Sequence, residues 1–348
     1  MRITSINTGN VRKLLVRSTN WIGDAIMTTP AVRAIRNNFP HSEISMLAKP
    51  WVSPVFENSP HVDRVINYDG EGKHRGFLGK IRLAKELRTD AFDAAILLQN
   101  AFEAAFITFL AGIPVRIGYN TDGRRLLLTH PVSCGPEIRA VHQTRYYLNI
   151  LTGVGLKDGS QELYYAVSEE QKARAEDILR KHGIKREDRL VGINPSATFG
   201  PAKQWPPERF ARLADRLHRF SDAQIIVFGG PDDRRLGEHV SRIMRHKPID
   251  LSGRTRLEEA MALIRRCNLF VTNDSGLMHV AAALNVPLIA VFGSTNSTTT
   301  GPWSKNSKVV QVPIPCSPCL KPECPEDHLD CMNKIDVDMV FNVAKTML

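Results

Sequence analysis

The chain repeats one local pattern almost from end to end: a short apolar run, a polar turn, then a stretch whose apolar residues return every three or four positions. Short strands separated by helix-length segments cannot pair through tight hairpins. They must lie parallel, with the helices as crossover connections. In the first half, residues 13–17, 44–47, 62–67 and 94–98 read as strands, 25–38 as a helix, and about 138–152 as a long closing helix. Residues 153–159 are rich in glycine and polar side chains, as a linker would be. The pattern then restarts, with strands at 190–194, 224–228, 249–251, 269–272 and 287–292 and helices at 169–182, 207–220 and from 232. The expected architecture is α/β: two Rossmann-like, doubly wound parallel-sheet domains, 1–158 and 159–335, facing across a cleft. A terminal helix at 336–348 is a candidate to pack back on the first domain.

At 348 residues the chain is long enough for two cores. No apolar run reaches the length of a membrane span, and Met1-Arg-Ile-Thr-Ser-Ile lacks the apolar core of a signal peptide, so a cytoplasmic protein is expected. The net charge of +10 is spread: 20 Lys and Arg face 14 Asp and Glu up to residue 165, and 26 face 22 beyond it. With neither a basic tail nor an aromatic stacking platform, nucleic acid is not the expected partner. One cluster stands out: Lys73, Arg75, Lys80, Arg82, Lys85 and Arg88, interleaved with Phe77, Leu78, Ile81, Leu83 and Leu87. It suits a solvated amphipathic helix and equally a membrane surface or anionic partner.

Ligands of open α/β sheets bind beyond the carboxyl ends of the strands, so the strand-end turns carry the functional information. Thr272-Asn-Asp-Ser-Gly-Leu-Met-His279 joins a buried strand to a helix. The free amides of that helix's first turn attract phosphate, and Asp274 could accept sugar hydroxyls. Asp274 or Ser275 could also simply cap the helix. His279, one turn on, faces either phosphate or the core. Asn194-Pro-Ser-Ala-Thr-Phe-Gly-Pro-Ala-Lys203 offers the hydroxyls of Ser196 and Thr198 and the point charge of Lys203. Asp233, after Gly229-Gly230, could hold a ribose or start a helix. Asp24, after the first strand, is a candidate base or a cap, and His142 a surface or cleft residue. There is neither a P-loop nor a Gly-x-Gly-x-x-Gly fingerprint, which weighs against an NTP hydrolase or a nicotinamide dehydrogenase. Cys316, Cys319, Cys324 and Cys331, with His328 among them, are candidates for a structural zinc, for reduced thiols or for a labile disulfide.

Four stretches together resemble the ADP-heptose:lipopolysaccharide heptosyltransferases: Asn20-Trp-Ile-Gly-Asp-Ala-Ile-Met-Thr-Thr-Pro-Ala-Val-Arg-Ala-Ile-Arg36, Asn194-Pro-Ser-Ala with Lys203-x-Trp205-Pro206, the 272–279 turn, and Val291-Phe-Gly-Ser294. The Asn-Trp-Ile-Gly-Asp form and the late cysteine segment are most like the type II members. The resemblance implies a GT-B fold, with an acceptor domain followed by a donor domain. It also implies metal-independent, inverting transfer of heptose from ADP-heptose to an anionic core acceptor, heptosyl-Kdo-lipid A for type II. Asp24 matches the general base, Lys203 a donor-phosphate contact and Asp274 the carboxylate on the heptose. Ser275, Gly276 and His279 match the diphosphate turn, and Ser196, Thr198 and Asp233 match looser donor contacts. An acceptor tethered to the inner membrane gives Lys80, Arg82 and Lys85 a role in acceptor binding, with the enzyme peripheral to that membrane. No cofactor is implied for catalysis. A related transferase for another core sugar or position, or a non-catalytic sugar-nucleotide-binding protein, would share these residues.

Overall fold

The computed structural model describes Ile6 and residues 8–348. It divides into two compact units, the first ending at Ala166 and the second running from Val167 to Leu348. The first holds β1 (Lys13–Arg17), β2 (Glu43–Ala48), β3 (Arg64–Asn67), β4 (Ala94–Leu97), β5 (Val115–Tyr119) and β6 (His130–Val132), in the order β3-β2-β1-β4-β5-β6. The second holds β7 (Leu190–Asn194), β8 (Gln224–Val227), β9 (Ile249–Asp250), β10 (Leu269–Asn273), β11 (Leu288–Val291) and β12 (Ser307–Val310), in the order β12-β11-β10-β7-β8-β9. All pairings in both sheets are parallel. Counted from its own first strand, each sheet has the doubly wound order 3-2-1-4-5-6.

That order has a consequence for function. The chain winds one way from the first strand to the third, then returns to the other side of the first. The crevice beyond β1 and β4 in one unit, and beyond β7 and β10 in the other, is therefore the switch point at which ligands are expected. Register places Arg17 beside Leu97, and Asn194 beside Thr272, at those strand ends.

Strands β5, β6 and β12 have no counterpart in the apolar pattern. β6 and β12 close their sheets, and all three carry charged or polar residues such as Arg116, His130 and Lys308. A strand flanked on one side only, or half exposed, need not be an apolar run.

Two long helices expected from periodicity are interrupted. Residues 22–38 form Ile22–Met27 and Thr29–Asn38. Pro30 has no N–H to give the Ile26 carbonyl, and Thr29 Oγ1 supplies that hydrogen bond instead, at 2.7 Å. The expected helix 138–152 is likewise Pro136–Arg139 followed by Gln143–Thr152. Buried His142 caps the second piece, its Nδ1 accepting from the Thr144 amide at 3.1 Å.

In the second unit, Trp205, Phe210, Leu213 and Leu217 pack against Val191, Ile193, Val227 and Val271 of the sheet. The terminal helix Val337–Ala344 lies on the helix Pro207–Ser221 and against β11 and β12. Ile335, Val340 and Ala344 thereby complete this unit's core. The first unit's separate core gathers Leu15, Leu47, Ala95 and Leu97 under Leu83, Leu87 and Ile107.

Candidate active site

In the second unit the ends of β7 and β10 are locked together by side chains. Asn194 Nδ2 donates to Thr272 Oγ1 at 3.1 Å and to Ser275 Oγ at 2.9 Å. Asn273 Nδ2 donates to the Pro195 carbonyl at 2.7 Å, while its Oδ1 accepts from the Trp205 amide at 3.0 Å. Both ends of the 195–205 loop therefore hang on one buried asparagine. Trp205, fully buried, anchors the loop's exit and donates Nε1 to the Ile335 carbonyl at 2.8 Å.

This frame brings Lys203 onto Asp274. The ammonium donates to Asp274 Oδ2 at 2.6 Å, and Thr295 Oγ1 donates to the same oxygen at 2.7 Å. Side-chain exposure is 14% for Lys203 and 6% for Asp274, so the pair is largely desolvated and its geometry is held by packing. Lys203 Nζ also sits 4.7 Å from the centroid of the exposed Phe199 ring.

Ser275 occupies the N-cap of the helix Gly276–Ala283 but its side chain makes no capping bond. Its hydroxyl instead joins the Asn194–Thr272 network, and the Asp274 carboxylate is turned to Lys203 and Thr295. The first-turn amides thus have no competing side-chain oxygen, which leaves the helix start suited to an anion. His279 is buried one turn into that helix.

The remaining second-unit candidates are more scattered. Ser196 is buried at the start of the 195–205 loop and Thr198 is exposed on it. Asp233 accepts the Gly230 amide at 2.7 Å, which ties it to the turn after β8. Ser196, Thr198 and Asp233 are not drawn into the Lys203–Asp274 network by any bond found here among the described residues.

The cysteine segment corrects one expectation. Among the described residues no three His, Cys, Asp or Glu side chains converge in a metal-holding group, and all four of Cys316, Cys319, Cys324 and Cys331 are free. Cys331 is buried in the core with Met332, while the other three lie half-buried in a loop whose prolines fix its course. Cys316 Sγ and His328 Nε2 stand 4.0 Å apart. Of the three roles open to these cysteines, the structural metal finds no supporting ligand group among the described residues. The segment instead braces the site. The Ala202 amide bonds the Pro322 carbonyl at 3.0 Å, and the Ser317 hydroxyl bonds the Gly293 carbonyl at 2.7 Å. Gly200 makes the close approach possible, since at φ +151° a Cβ there would lie 2.4 Å from the Pro322 oxygen.

In the first unit, Asp24 stands in the first turn of the short helix Ile22–Met27, where the helix dipole favours a carboxylate. Trp21, not Asp24, is the N-cap. Tyr147 Oη donates to Asp24 Oδ1 at 3.3 Å. Burial, and then the Asp24 charge, hold the Tyr147 phenol well above its ordinary pKa, so it remains a donor. Tyr147 was not legible as a partner, because 123 residues separate it from Asp24.

The basic cluster is mostly the helix Gly76–Thr89. Lys80 pairs with Glu103 at 2.7 Å, Lys73 with Glu86 at 2.7 Å, and Arg82 Nη1 reaches the Lys73 carbonyl at 3.4 Å. Lys85 is exposed. Phe77 and Leu78 are exposed on the same helix, and Phe77 stacks on Phe106 of the helix Phe102–Leu110.

The profile of glycosyltransferase family 9 (heptosyltransferase) matches residues 80–330, a span that takes in Lys203 and the whole 272–279 turn. The chain belongs to this family. It is 32% identical over 313 residues to lipopolysaccharide heptosyltransferase 2 of Escherichia coli K12, covering 86% of this chain and 88% of that one. The solved structure of E. coli ADP-heptose LPS heptosyltransferase II matches with a TM-score of 0.81 at 28% identity, over 96% of this chain and 98% of the other. A family 9 glycosyl transferase from Veillonella parvula matches with a TM-score of 0.90 at 28% identity, over 99% of each chain. The two parallel sheets of this family 9 enzyme are thus the GT-B architecture, and the protein is a glycosyltransferase of the heptosyltransferase kind. No helix among its described residues is long and apolar enough to cross a membrane.

Proposed function

We propose that this glycosyltransferase moves L-glycero-D-manno-heptose from ADP-heptose to the inner core of lipopolysaccharide, as the second heptose onto heptosyl-Kdo-lipid A, with inversion at the transferred carbon. The observation that carries the reading is the Lys203–Asp274 pair beside the uncapped start of the helix Gly276–Ala283. Its relatives named heptosyltransferase 2 supply the sugar and the acceptor class.

On this reading the second unit binds the donor. Asp274, oriented by Lys203 and Thr295, accepts hydroxyls of the heptose. Lys203 shares its ammonium with the diphosphate, and the amides at Ser275 and Gly276 face the same charge, with His279 behind them. The acceptor oxygen bonds to the anomeric carbon as the bond from that carbon to the diphosphate oxygen breaks. Negative charge gathers on the departing ADP, where a fixed ammonium and helix amides stabilise it without a metal. The acceptor proton passes to Asp24, whose carboxylate is kept in place by Tyr147. Ser196, Thr198 and Asp233 are secondary donor contacts.

The first unit receives the acceptor. Lys80, Arg82 and Lys85 suit its phosphates and carboxylates, and exposed Phe77 and Leu78 between basic side chains suit the interface of an anionic bilayer. The enzyme would then work peripherally at the cytoplasmic face of the inner membrane.

The test is ADP release from ADP-heptose by the purified protein, in EDTA, with Kdo-lipid A and with heptosyl-Kdo-lipid A offered separately. Turnover with the second acceptor only is expected. Turnover with Kdo-lipid A alone would move the enzyme to another core position. ADP-heptose binding without turnover on either acceptor would make it a sugar-nucleotide-binding protein.

A further inference from the structure

The first unit holds a second polar cluster, distinct from Asp24 and linked to the helix Gly76–Thr89 through Glu103, in which two cations stand close together. Arg17 ends β1 at the switch point and is only 2% exposed. Among the described residues its guanidinium makes no salt bridge, Glu103 acting on it only through charge. Nη1 donates to the carbonyls of Ser18 at 2.5 Å and Leu47 at 3.3 Å, and Nη2 donates to Asn20 Oδ1 at 2.8 Å. Those acceptors satisfy its hydrogen bonds, but no carboxylate among the described residues is bonded to it to balance its charge directly.

Lys49, the residue after β2, adds a second cation. Its ammonium lies 3.9 Å from the centroid of the Tyr68 ring and 5.6 Å from that of Trp51, and it takes part in no salt bridge among the described residues. The Arg17 guanidinium faces the same Tyr68 ring at 5.3 Å.

Glu103, Glu71 and Asp69 act on the Lys49 charge, but none forms a salt bridge with it among the described residues. Glu103 accepts the Tyr68 phenol at 2.5 Å and the Lys80 ammonium at 2.7 Å. Asp69 is bonded to the backbone amides of Gly72 and Lys73 at 2.9 and 3.0 Å, and Glu71 is exposed. Burial and then the Arg17 charge lower the Lys49 pKa, the expected response of an ammonium that is partly desolvated beside a like charge.

A half-buried ammonium in an aromatic cage, backed by a buried guanidinium, is an anion site awaiting its anion. We propose that Lys49, with Arg17 behind it, is a subsite for one anionic group, a carboxylate or phosphate, of the acceptor. The proposal rests on the reading that this unit receives an anionic lipopolysaccharide core. Its place supports that use. Trp51 Nε1 donates to the Asn20 carbonyl at 2.9 Å, and Arg17 holds the Asn20 side chain. The turn carrying Lys49 is therefore tied to the loop that leads into Asp24, so an anion bound there would help register the acceptor hydroxyl. Lys49 is the binding residue and Arg17 a positioning residue that acts through it.

The experiment compares wild type, Lys49→Met and Lys49→Arg on heptosyl-Kdo-lipid A, on the same acceptor with its Kdo carboxylates reduced, and on a dephosphorylated acceptor. Lys49→Met is expected to raise the acceptor KM about tenfold, a loss of about 1.4 kcal/mol, with kcat and ADP affinity near wild type. Lys49→Arg is expected to recover most of it. The Met penalty should vanish on whichever acceptor lacks the group that Lys49 meets, which separates carboxylate from phosphate. An unchanged KM, or an equal penalty on all three acceptors, would overturn the proposal, since a purely structural lysine is blind to acceptor charge.

A second measurement does not depend on turnover. With lysines labelled by 13C-methylation, the NMR signal absent from Lys49→Met should shift saturably with free Kdo or inorganic phosphate. No shift with either overturns the subsite. A shift in an enzyme that fails to transfer heptose overturns the functional reading and leaves the subsite standing.

Discussion

The two units share one strand order and fill its switch point in opposite ways. Beyond β7 and β10, the one lysine is met by a buried carboxylate, the carboxylate by a threonine, Asn194 by Thr272 and Ser275, and Asn273 by both ends of the 195–205 loop. Beyond β1 and β4, Arg17 is held by carbonyls and Lys49 by rings, while Asp24 stands on a neighbouring short helix and accepts the Tyr147 hydroxyl. The second unit is balanced before a ligand arrives and presents uncapped helix amides. The first keeps two cations, Arg17 and Lys49, side by side without a salt bridge among the described residues. Topology thus sets where the strand-end crevice of each unit lies, and the side chains there set what chemistry it offers.

The sharpest way to break this contrast is Asp24→Asn. It removes the carboxylate and keeps the shape, so turnover should fall about 10²–10⁴-fold, the usual contribution of a general base. Affinity for ADP, measured by calorimetry, should hold. Near-normal turnover would remove Asp24 as base and with it the functional asymmetry of the units.

Next in size is Asp274→Asn, which strands the Lys203 ammonium in a mostly dry site. Removing one partner of a buried pair costs about 3–5 kcal/mol, which urea denaturation followed at Trp205 would show together with weakened donor binding. Lys203→Met in the same background should restore part of the stability but none of the turnover. If both single variants were as stable as wild type, the pair would not be the preformed, desolvated contact described.

Reversing Lys80, Arg82 and Lys85 to Glu should raise the acceptor KM roughly tenfold or more, since exposed charge pairs are each worth at most about 1 kcal/mol, and should leave ADP binding alone. The effect should shrink with added salt. Unchanged acceptor kinetics would limit the acceptor's anionic contacts to other residues.

The smallest expected effect is alkaline. Burial pushes the Cys267 thiol, next to β10, up to about 12 from an ordinary 9. Its folded pKa lies above its unfolded one, so this stabilisation is complete below pH 9 and drains away as pH rises towards 12. In the first unit, burial raises the phenols of Tyr119 and Tyr147 from an ordinary 10. Between pH 9 and 10, Cys267→Ala should therefore flatten the loss of stability while Tyr147→Phe leaves its slope alone. Equal slopes in all three proteins would show that the thiol is solvated.

Much of this was written in local sequence. The apolar runs that become β1, β4, β7, β8, β10 and β11 are buried in the middle of their sheets, where both faces are covered and a near-continuous apolar strand is favoured. The turns after them announced Asp24, Lys203 and the 272–279 segment, because a strand followed at once by an amphipathic helix leaves little freedom about where the turn lies. What failed was equally local. Pro30 and the 140–142 break interrupt helices whose apolar period runs straight through, since periodicity reports the buried face and not the backbone hydrogen bonds. The cysteines share a segment but form no metal-holding group among the described residues, because spacing along a proline-rich loop does not fix where its sulfurs point.

The sequence by itself determined that there are two parallel doubly wound sheets and which strand-end turns could meet a ligand, for these follow from short-range apolar periodicity and turn chemistry. Only the tertiary structure decided that Lys203 reaches Asp274, that Tyr147 reaches Asp24, that the cysteine segment braces Gly200 and Ala202, and that Lys49 stands beside Arg17 with no salt bridge among the described residues. Those contacts join residues from 32 to 123 positions apart. Which distant side chains meet is set by sheet order and by the packing of the loops between strands, and neither leaves a trace in the residues next to them.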